Sequence, residues 1–478
     1  MLSKDKIIRE IWQIIIWFAL AVLFVYIRPF SIFKHVFFLV PLYLFYKSKK
    51  DYFWIAFFFV LINAPAYFFT SQTQAAQFVL PYYGLNKGFS LTIFDLFLFI
   101  GIFKVFKRVK RKRLILNKPL VIFGLYFIII TIPISIVLGT SLDVFANMLR
   151  PIIYYFLVVV LLNLFTVKED YIKFAYLIIP FTILILMDQL IYLSFGERII
   201  YLFDQSKEWV VINSVTGTSR GISSGVLLVF FSLIFGLQIQ SKPKLEIFNN
   251  IGIILIIISF GSFFLSATRA WIAIGLIQIL IVTLLSKRSV RLILRIGFIS
   301  VIGLVILLST NIVKSSMIDD VFARMDIASA FITGQTDKVD TYQDRIENDI
   351  PKVMKGINKS PIFGVGLSKI YKDSYSNDVG YINTILLWGY LGFSFFLYYL
   401  SRIIYRTYSA LKNKDNCNST LSIPLLGALM AMLFGYLFTW DFFSFYPHKI
   451  FFVSLIFAYL EFLYQDEIKT RLKVSYGN

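Results

Sequence analysis

The feature that most constrains the fold is a series of long apolar runs that recurs along nearly the whole chain. About fourteen runs approach the length of a transmembrane helix, which needs roughly 20 mostly apolar residues. They lie at residues 11–27, 30–46, 52–69, 89–106, 119–138, 149–166, 171–193, 221–239, 247–265, 271–286, 292–310, 379–400, 421–438 and 450–464. The sequence therefore predicts an all-α, polytopic integral membrane protein with about 12–14 transmembrane helices, forming a single membrane domain over residues 1–478.

The composition excludes an ordinary soluble domain. Hydrophobic residues make up 58% of the chain and charged residues only 15%, and 52 Phe with 28 Tyr suit lipid-facing helices and interfacial belts. The first apolar run lacks a small-residue cleavage site, so no cleavable signal peptide is predicted.

The net charge of +20 is explained by membrane topology rather than by nucleic-acid binding. If the N-terminus is cytoplasmic, the dense basic stretches all fall on the cytoplasmic side, where they also meet lipid headgroups. These stretches are residues 47–50, 104–113, 242–244, 287–295, 402–414 and 469–473. We therefore predict a bacterial inner-membrane protein with both termini in the cytoplasm and no nucleic-acid partner.

The same topology exports a few longer segments. They are residues 70–88, 139–148, 194–220 and 311–378. The last is predicted to be a large periplasmic loop, and a connector of this length usually has a function of its own. Residues 320–332 and 344–357 are predicted to form short amphipathic helices over the mouth of an active site.

Topology disfavours basic residues on the exported side, and four of the arginines there are taken as candidates: Arg150, Arg220, Arg269 and Arg345. A guanidinium grips phosphate or carboxylate through two parallel hydrogen bonds. Together these arginines suit a lipid-linked anionic substrate such as a polyprenyl diphosphate. The alternative interpretation is that they reach out to the phosphates of ordinary lipids.

The carboxylates divide into buried and exported groups. Asp95 and Asp188 lie in or near the ends of apolar runs, where a charge needs a partner, so we predict that they pair with exported arginines. Asp344 and Glu347 flank Arg345, and either could act as a general base for a sugar hydroxyl. The alternative for both is a solvated surface charge.

His448 is a further candidate for the base, with an interfacial histidine as the alternative interpretation. The chain has only two histidines, and they are far apart in sequence. We therefore predict metal-independent chemistry without a cofactor.

Several motifs resemble those of the O-antigen ligase and polymerase superfamily. Residues 265–271 read LSATRAW, similar to a Ser/Thr-Arg-Gly/Ala signature between helices. Arg345 and Gly356 bracket ten residues, and residues 360–366 read SPIFGVG, similar to a Pro-x-x-Gly-x-Gly turn. The next apolar run opens with GYIN at 380–383 and continues to GYLG at 389–392. The order and placement of these motifs resemble O-antigen polymerases of the Wzy type.

The resemblance implies a glycosyl transfer at the periplasmic face. The donor would be a glycan on undecaprenyl diphosphate, the acceptor a lipid-linked repeat unit, and the product a surface polysaccharide. It further suggests a chain-length regulator and a flippase as partners. Ligases of this superfamily usually carry a His-Asn pair where this chain has residues 382–383, which favours the polymerase over the ligase.

The resemblance also implies roles for the candidate residues. Arg269 and Arg345, with Arg220, would stabilise the diphosphate, and Glu347, Asp344 or His448 would act as the base. The remaining candidates for substrate binding are Arg150, Gly356, Gly364, Gly366 and Asn383.

Three alternatives stay open at this point. A ligase would transfer the glycan to another acceptor. A lipid-linked oligosaccharide flippase or transporter is disfavoured because we find no internal repeat and few mid-helix charges. A non-catalytic scaffold in a polysaccharide export complex is the third.

Overall fold

The computed structural model describes residues 4–26, 33–63, 93–108, 118–195, 223–241, 246–266, 268–285, 345–376, 379–411, 417–437 and 447–476. Every regular element in these ranges is a helix. In chain order the α-helices are α1 Lys4–Tyr26, α2 Phe33–Lys47, α3 Asp51–Asn63, α4 Ile93–Arg108, α5 Lys118–Tyr126, α6 Ile132–Val137, α7 Leu142–Tyr154, α8 Leu157–Leu164, α9 Lys168–Phe195, α10 Val226–Ser241, α11 Glu246–Leu265, α12 Arg269–Leu285, α13 Ile350–Ile357, α14 Lys369–Ser374, α15 Gly380–Leu411, α16 Cys417–Gly435 and α17 Pro447–Tyr476. Two π-helical turns, Phe127–Thr131 and Arg345–Asp349, precede α6 and α13.

Five stretches of helix in the described residues are long and apolar enough to cross a membrane: Pro119–Val137, Val144–Leu164, Lys168–Tyr192, Gly380–Ser409 and Pro447–Asp466. Shorter apolar helices accompany them, among them Trp12–Phe24, Asp51–Asn63, Val226–Ser241, Ile251–Leu265, Ala270–Leu285 and Leu421–Gly435. All the predicted apolar runs coincide with these helices or with α2 and α4, except the run at 292–310, which lies outside the described residues. The prediction of an all-α polytopic membrane protein is confirmed, whereas the total number of crossings stays a prediction.

α17 packs at the centre of the bundle, where 72% of its Pro447–Asp466 span is buried. Near its start, the ring of Phe451 packs against Phe59 of α3 and Phe97 of α4, with centroids 5.0 and 5.9 Å apart. Farther along, Tyr459 stacks on Tyr171 of α9 at 4.0 Å. Large aromatic side chains supply much of the packing area, as the Phe-rich composition suggests.

A buried lysine joins α4 to the end of α2. The ammonium of Lys104 is fully buried and donates to the carbonyl oxygens of Phe45 at 2.6 Å and Ser48 at 3.1 Å. It also pairs with the carboxylate of Asp51 at the start of α3. The last carbonyls of a helix have no partner within the helix, so a basic side chain stabilises them.

A second, smaller hydrophobic cluster attaches residues 345–376 to the bundle. Its buried members come from α13 to α16 and the segments between them: Val353, Ile357, Val365, Leu367, Tyr371, Val379, Leu386, Leu387 and Tyr436. Side chains of α7 pack against it, including Met148, Leu149 and Ile152. The predicted helix at 344–357 is therefore confirmed from Arg345 onward, and its position over an active-site mouth stays a prediction. The predicted helix at 320–332 lies outside the described residues, and the single-domain prediction is not tested.

We predict that Lys104→Ala lowers the free energy of unfolding by about 3–5 kcal/mol, because the carboxylate of Asp51 loses its buried partner. Lys107→Ala is the matched control one turn away, since Lys107 is exposed and bonds only at the surface, to the hydroxyl of Tyr46. Its effect should stay within about 0.5 kcal/mol. Reversible unfolding of the purified protein in mixed micelles measures both, and equal losses would contradict the assigned role of Lys104.

Candidate functional site

α15 is interrupted at Gly389, whose backbone has φ +64° and ψ 178°. In an unbroken α-helix the carbonyls of Leu386 and Leu387 would accept hydrogen bonds from the amides of Tyr390 and Leu391. The interruption removes both bonds and leaves two acceptors and two donors to be satisfied by other groups. Within a membrane protein such groups are costly unless other protein groups replace the missing partners.

Residues 361–366, the centre of the SPIFGVG motif, fill this interruption. The amides of Val365 and Gly366 donate to the two freed carbonyls at 2.9 and 3.0 Å. The carbonyls of Pro361 and Ile362 accept from the two freed amides at 2.9 and 3.1 Å. The turn therefore supplies partners for these two carbonyls and two amides of the interrupted helix, and we call this unit the docked turn.

The docked turn requires glycine at three positions. Gly364, Gly366 and Gly389 all have φ between +61° and +77°, a backbone conformation that side chains with a Cβ disfavour. A Cβ on Gly364 would also collide with the backbone nitrogen of Gly389, and a Cβ on Gly366 with Ser135. The predicted motif glycines thus have a structural role here, and direct substrate contact stays a prediction for Gly364 and Gly366.

Two side chains of the neighbouring α5–α6 segment hold the docked turn from the side. The hydroxyl of Tyr126 lies 3.0 Å from the carbonyl oxygen of Phe363 and 2.5 Å from that of Trp388. The hydroxyl of Ser135 accepts from the amide of Leu367 at 2.7 Å. The π-helical turn lies between Tyr126 and Ser135, and such turns often occur at functional sites.

Gly356 and Asn383 position the elements around the docked turn. A Cβ on Gly356 would lie 2.7 Å from the side chain of Leu386, so the glycine allows α13 to approach α15 closely. Asn383 is fully buried, and its side-chain amide bonds both the amide and the carbonyl of Ser376. These contacts fix the segment that leads into α15, and a role for either residue in substrate binding stays a prediction.

Arg345 and Glu347 lie in the π-helical turn that opens α13. Arg345 is partly buried, whereas Glu347 is exposed. Through α13, which packs against α15, both residues are attached to the docked-turn region. Burial raises the pKa of the phenol of Tyr371, on α14, well above its ordinary value, so this side chain stays neutral. Asp344, the remaining acidic candidate in this segment, lies outside the described residues.

Arg150, on α7, forms a polar group with Asp95 and Tyr154. Its Nε lies 3.7 Å from the carboxylate of Asp95, which also accepts from the hydroxyl of Tyr154 at 2.8 Å. The prediction that Asp95 pairs with one of the four arginines is confirmed, with Arg150 as the partner. Because α7 contributes other side chains to the small cluster, it links this ion pair to the docked-turn region. Substrate binding by Arg150 stays a prediction.

A small polar cavity lies where α9, α10, α11 and α12 meet. It has a volume of about 20 Å³, enough for about one water molecule, and is lined by Gln189, Ser223, Val226, Ser262, Ser266, Thr268 and Trp271. Gln189 accepts from the hydroxyl of Ser262 at 2.6 Å. The cavity therefore brings together the ends of the two segments in which sequence analysis places Arg220 and Arg269.

Of these two arginines, only Arg269 belongs to the described residues. Arg269 begins α12 directly after Thr268 of the cavity wall. Arg220 lies outside the described residues, three positions before Ser223. The structure thus brings Ser223 and Thr268 to one cavity and describes neither guanidinium.

His448 occupies the first turn of α17, the central helix, and is partly buried. The described candidates therefore do not all lie at one place. Gly356, Gly364, Gly366 and Asn383 converge on the first part of α15, while the α17 start belongs to the main bundle. Sequence analysis missed Tyr126, Ser135 and Gln189. Of these only Gln189 carried a signal, as a polar neighbour of Asp188 within an apolar run.

A family model described as O-Antigen ligase matches residues 254–397. The match supports a relationship to the O-antigen ligase and polymerase superfamily. It covers less than a third of the chain, from α11 to the middle of α15. The matched region includes the docked turn and the turn before Arg269 that borders the cavity. It supports a role in the polymerisation or ligation of a glycan and does not distinguish the two activities. No curated protein matches the chain.

We predict a graded effect of three Gly→Ala substitutions on stability. Gly124 has no atom within 4 Å of an added Cβ, so Gly124→Ala should be neutral or slightly stabilising. Gly139 has φ +72° but open space, so Gly139→Ala should cost only the backbone strain, about 1–2 kcal/mol. Gly364→Ala should cost more, because a backbone collision adds to the strain. Thermal unfolding in detergent ranks the three, and equal losses for Gly364→Ala and Gly139→Ala would contradict the docked turn.

Proposed function

We propose that this protein polymerises oligosaccharide repeat units linked to undecaprenyl diphosphate into a surface polysaccharide, at the periplasmic face of the bacterial inner membrane. The observation that carries the proposal is the family match over residues 254–397. The matched region contains the turn before Arg269, the π-helical turn with Arg345 and the docked turn. An enzyme of this kind is a glycosyltransferase that acts on a lipid-linked oligosaccharide.

The proposed reaction joins two lipid-linked glycans. A hydroxyl of the acceptor's terminal sugar attacks the anomeric carbon of the donor glycan and forms the new glycosidic bond. The bond between that carbon and the undecaprenyl diphosphate breaks, and the diphosphate leaves with the electron pair. The proton of the attacking hydroxyl passes to a base on the protein. Catalysis thus requires groups that stabilise the leaving diphosphate and one group that accepts the proton.

Arginines are suited to the first requirement. Arg220, Arg269 and Arg345 are proposed to bind the diphosphate, since the guanidinium keeps its charge and matches phosphate oxygens in pairs. Glu347, Asp344 and His448 are the candidates for the base. Arg345 and Glu347 share the π-helical turn that precedes α13, so a phosphate and an attacking hydroxyl could be bound close together there. The reaction is proposed to need no metal ion and no cofactor.

The ligase is the second candidate, favoured by the description of the matching family model itself. Against it, the helix opening reads GYIN, without the histidine that ligases of the superfamily usually carry before the asparagine. The asparagine at that position, Asn383, is fully buried and bonded to the backbone of Ser376. This geometry suits an anchor of the loop, and the absent histidine is what ranks the polymerase above the ligase.

We predict that the protein restores a polysaccharide ladder in a strain that lacks its own polymerase. Arg269→Ala and Arg345→Ala should each reduce polymer by about 10²–10³-fold, the usual cost of one electrostatic stabiliser of the transition state. Arg402→Ala is the matched control, because Arg402 is exposed near the other end of α15. Gel electrophoresis of surface glycan, at equal membrane levels of each variant, measures the result.

Two outcomes separate the alternatives. If the arginine variants leave a single capped repeat, repeat units are still flipped and ligated but not joined, as a polymerase requires. If deletion of the protein from its own host removes even the single capped repeat, the defect lies in ligation or flipping and the polymerase proposal is wrong.

A further inference from the structure

The segment that carries the docked turn has an unusual charge pattern. Between residues 350 and 372 there are five lysines and no acidic residue. The predicted topology places this segment outside the cytoplasm, where basic residues are disfavoured. Topology therefore does not account for these lysines, and the proposed reaction does not use them.

Three of the lysines share one face of α13 and the turn that follows it. Val353, Gly356 and Ile357 form the buried face, packed toward α15. Lys352 and Lys355 lie one turn apart on α13, away from this buried face, and Lys359 follows in the turn after the helix. All three are exposed. The helix thus presents a row of cations away from the protein core.

The docked turn adds exposed apolar side chains directly after this row. Ile362 is 58% exposed and Phe363 is 41% exposed. The carbonyls of Pro361 and Ile362 bond to Tyr390 and Leu391 of α15, whose own side chains are exposed on a helix apolar enough to span a membrane. The apolar tip of the turn is therefore continuous with the surface of α15 that would face lipid.

We propose that residues 350–363 form a membrane-surface contact in which Ile362 and Phe363 enter the acyl region and the lysine row binds the phosphates of anionic phospholipid headgroups. The arrangement matches interfacial segments, in which apolar side chains insert while cations remain at the headgroup level. Each lysine near an anionic surface contributes roughly fivefold to the docking equilibrium. The surface is independent of the proposed enzymatic reaction, and bulk lipid rather than substrate is its ligand.

The first test measures the depth of the turn. A fluorescent label is attached to Ile362→Cys in a Cys417→Ser background, since Cys417 is the only cysteine. Leu397→Cys, exposed on α15, and Asp373→Cys, exposed on α14, are the matched positions. In liposomes, brominated acyl chains should quench the fluorescence of the labels at positions 362 and 397. Iodide in the aqueous phase should quench the label at position 373. Iodide quenching at 362 equal to that at 373 would overturn the proposal.

The second test measures the role of the lysines. Amide hydrogen exchange of residues 350–359 is compared in nanodiscs of phosphatidylcholine alone and with added phosphatidylglycerol. The anionic lipid should slow exchange, and high salt should reverse the effect. The triple variant Lys352→Gln, Lys355→Gln and Lys359→Gln should lose the response, while the triple Lys→Arg variant keeps it. Thermal unfolding in detergent confirms that both variants are folded.

The remaining outcomes also decide the proposal. No response to phosphatidylglycerol, even with a deeply placed turn, overturns it. A response to undecaprenyl diphosphate in phosphatidylcholine nanodiscs, with none to phosphatidylglycerol, assigns the lysine row to the substrate and likewise overturns it. Neither test measures polysaccharide synthesis. A negative result would therefore contradict the membrane contact and leave the proposed function unaffected.

Discussion

The exchange of backbone hydrogen bonds between the docked turn and α15 sets the arrangement of residues 345–376 relative to the bundle. A helix interrupted at Gly389 exposes two carbonyls and two amides, and residues 361–366 supply a partner for each. The same contact fixes the approach of α13, and hence the position of Arg345 and Glu347. A helix break inside a membrane protein is tolerated where other protein groups satisfy the freed backbone, and the docked turn meets this condition.

Polar side chains elsewhere in the bundle are also paired. The carboxylate of Asp95 is buried, and its cost is offset by Arg150 and by the hydroxyl of Tyr154. Gln189 and Ser262 satisfy each other beside the cavity that the LSATRAW turn helps to form. Polar groups of this kind are disfavoured in a membrane unless they are paired. In the bundle, Asp95, Gln189 and Ser262 each have such a partner.

Much of the fold could be predicted from hydropathy, because a transmembrane segment must satisfy its backbone within one helix and so needs one long apolar run. The pairing of Asp95 with an arginine followed from the cost of a buried charge, but its choice of Arg150 depends on how α4 and α7 pack. The glycines of SPIFGVG and GYLG were visible as motifs. The docking of SPIFGVG into the interruption of α15 at Gly389 could not be predicted, because it is a contact between backbone segments distant in sequence. Asn383 likewise gave no sign that its amide is occupied by Ser376.

The most direct test of the docked turn is amide hydrogen exchange at single-residue resolution in nanodiscs. Slow and matched exchange of Val365, Gly366, Tyr390 and Leu391 is the predicted result, with all four accelerated together in the Gly364→Ala variant. Amides later in α15, such as that of Leu400, should be unchanged by the substitution. If Tyr390 and Leu391 stay protected while Val365 and Gly366 exchange freely, α15 is an unbroken helix, and the account of the docked turn is wrong.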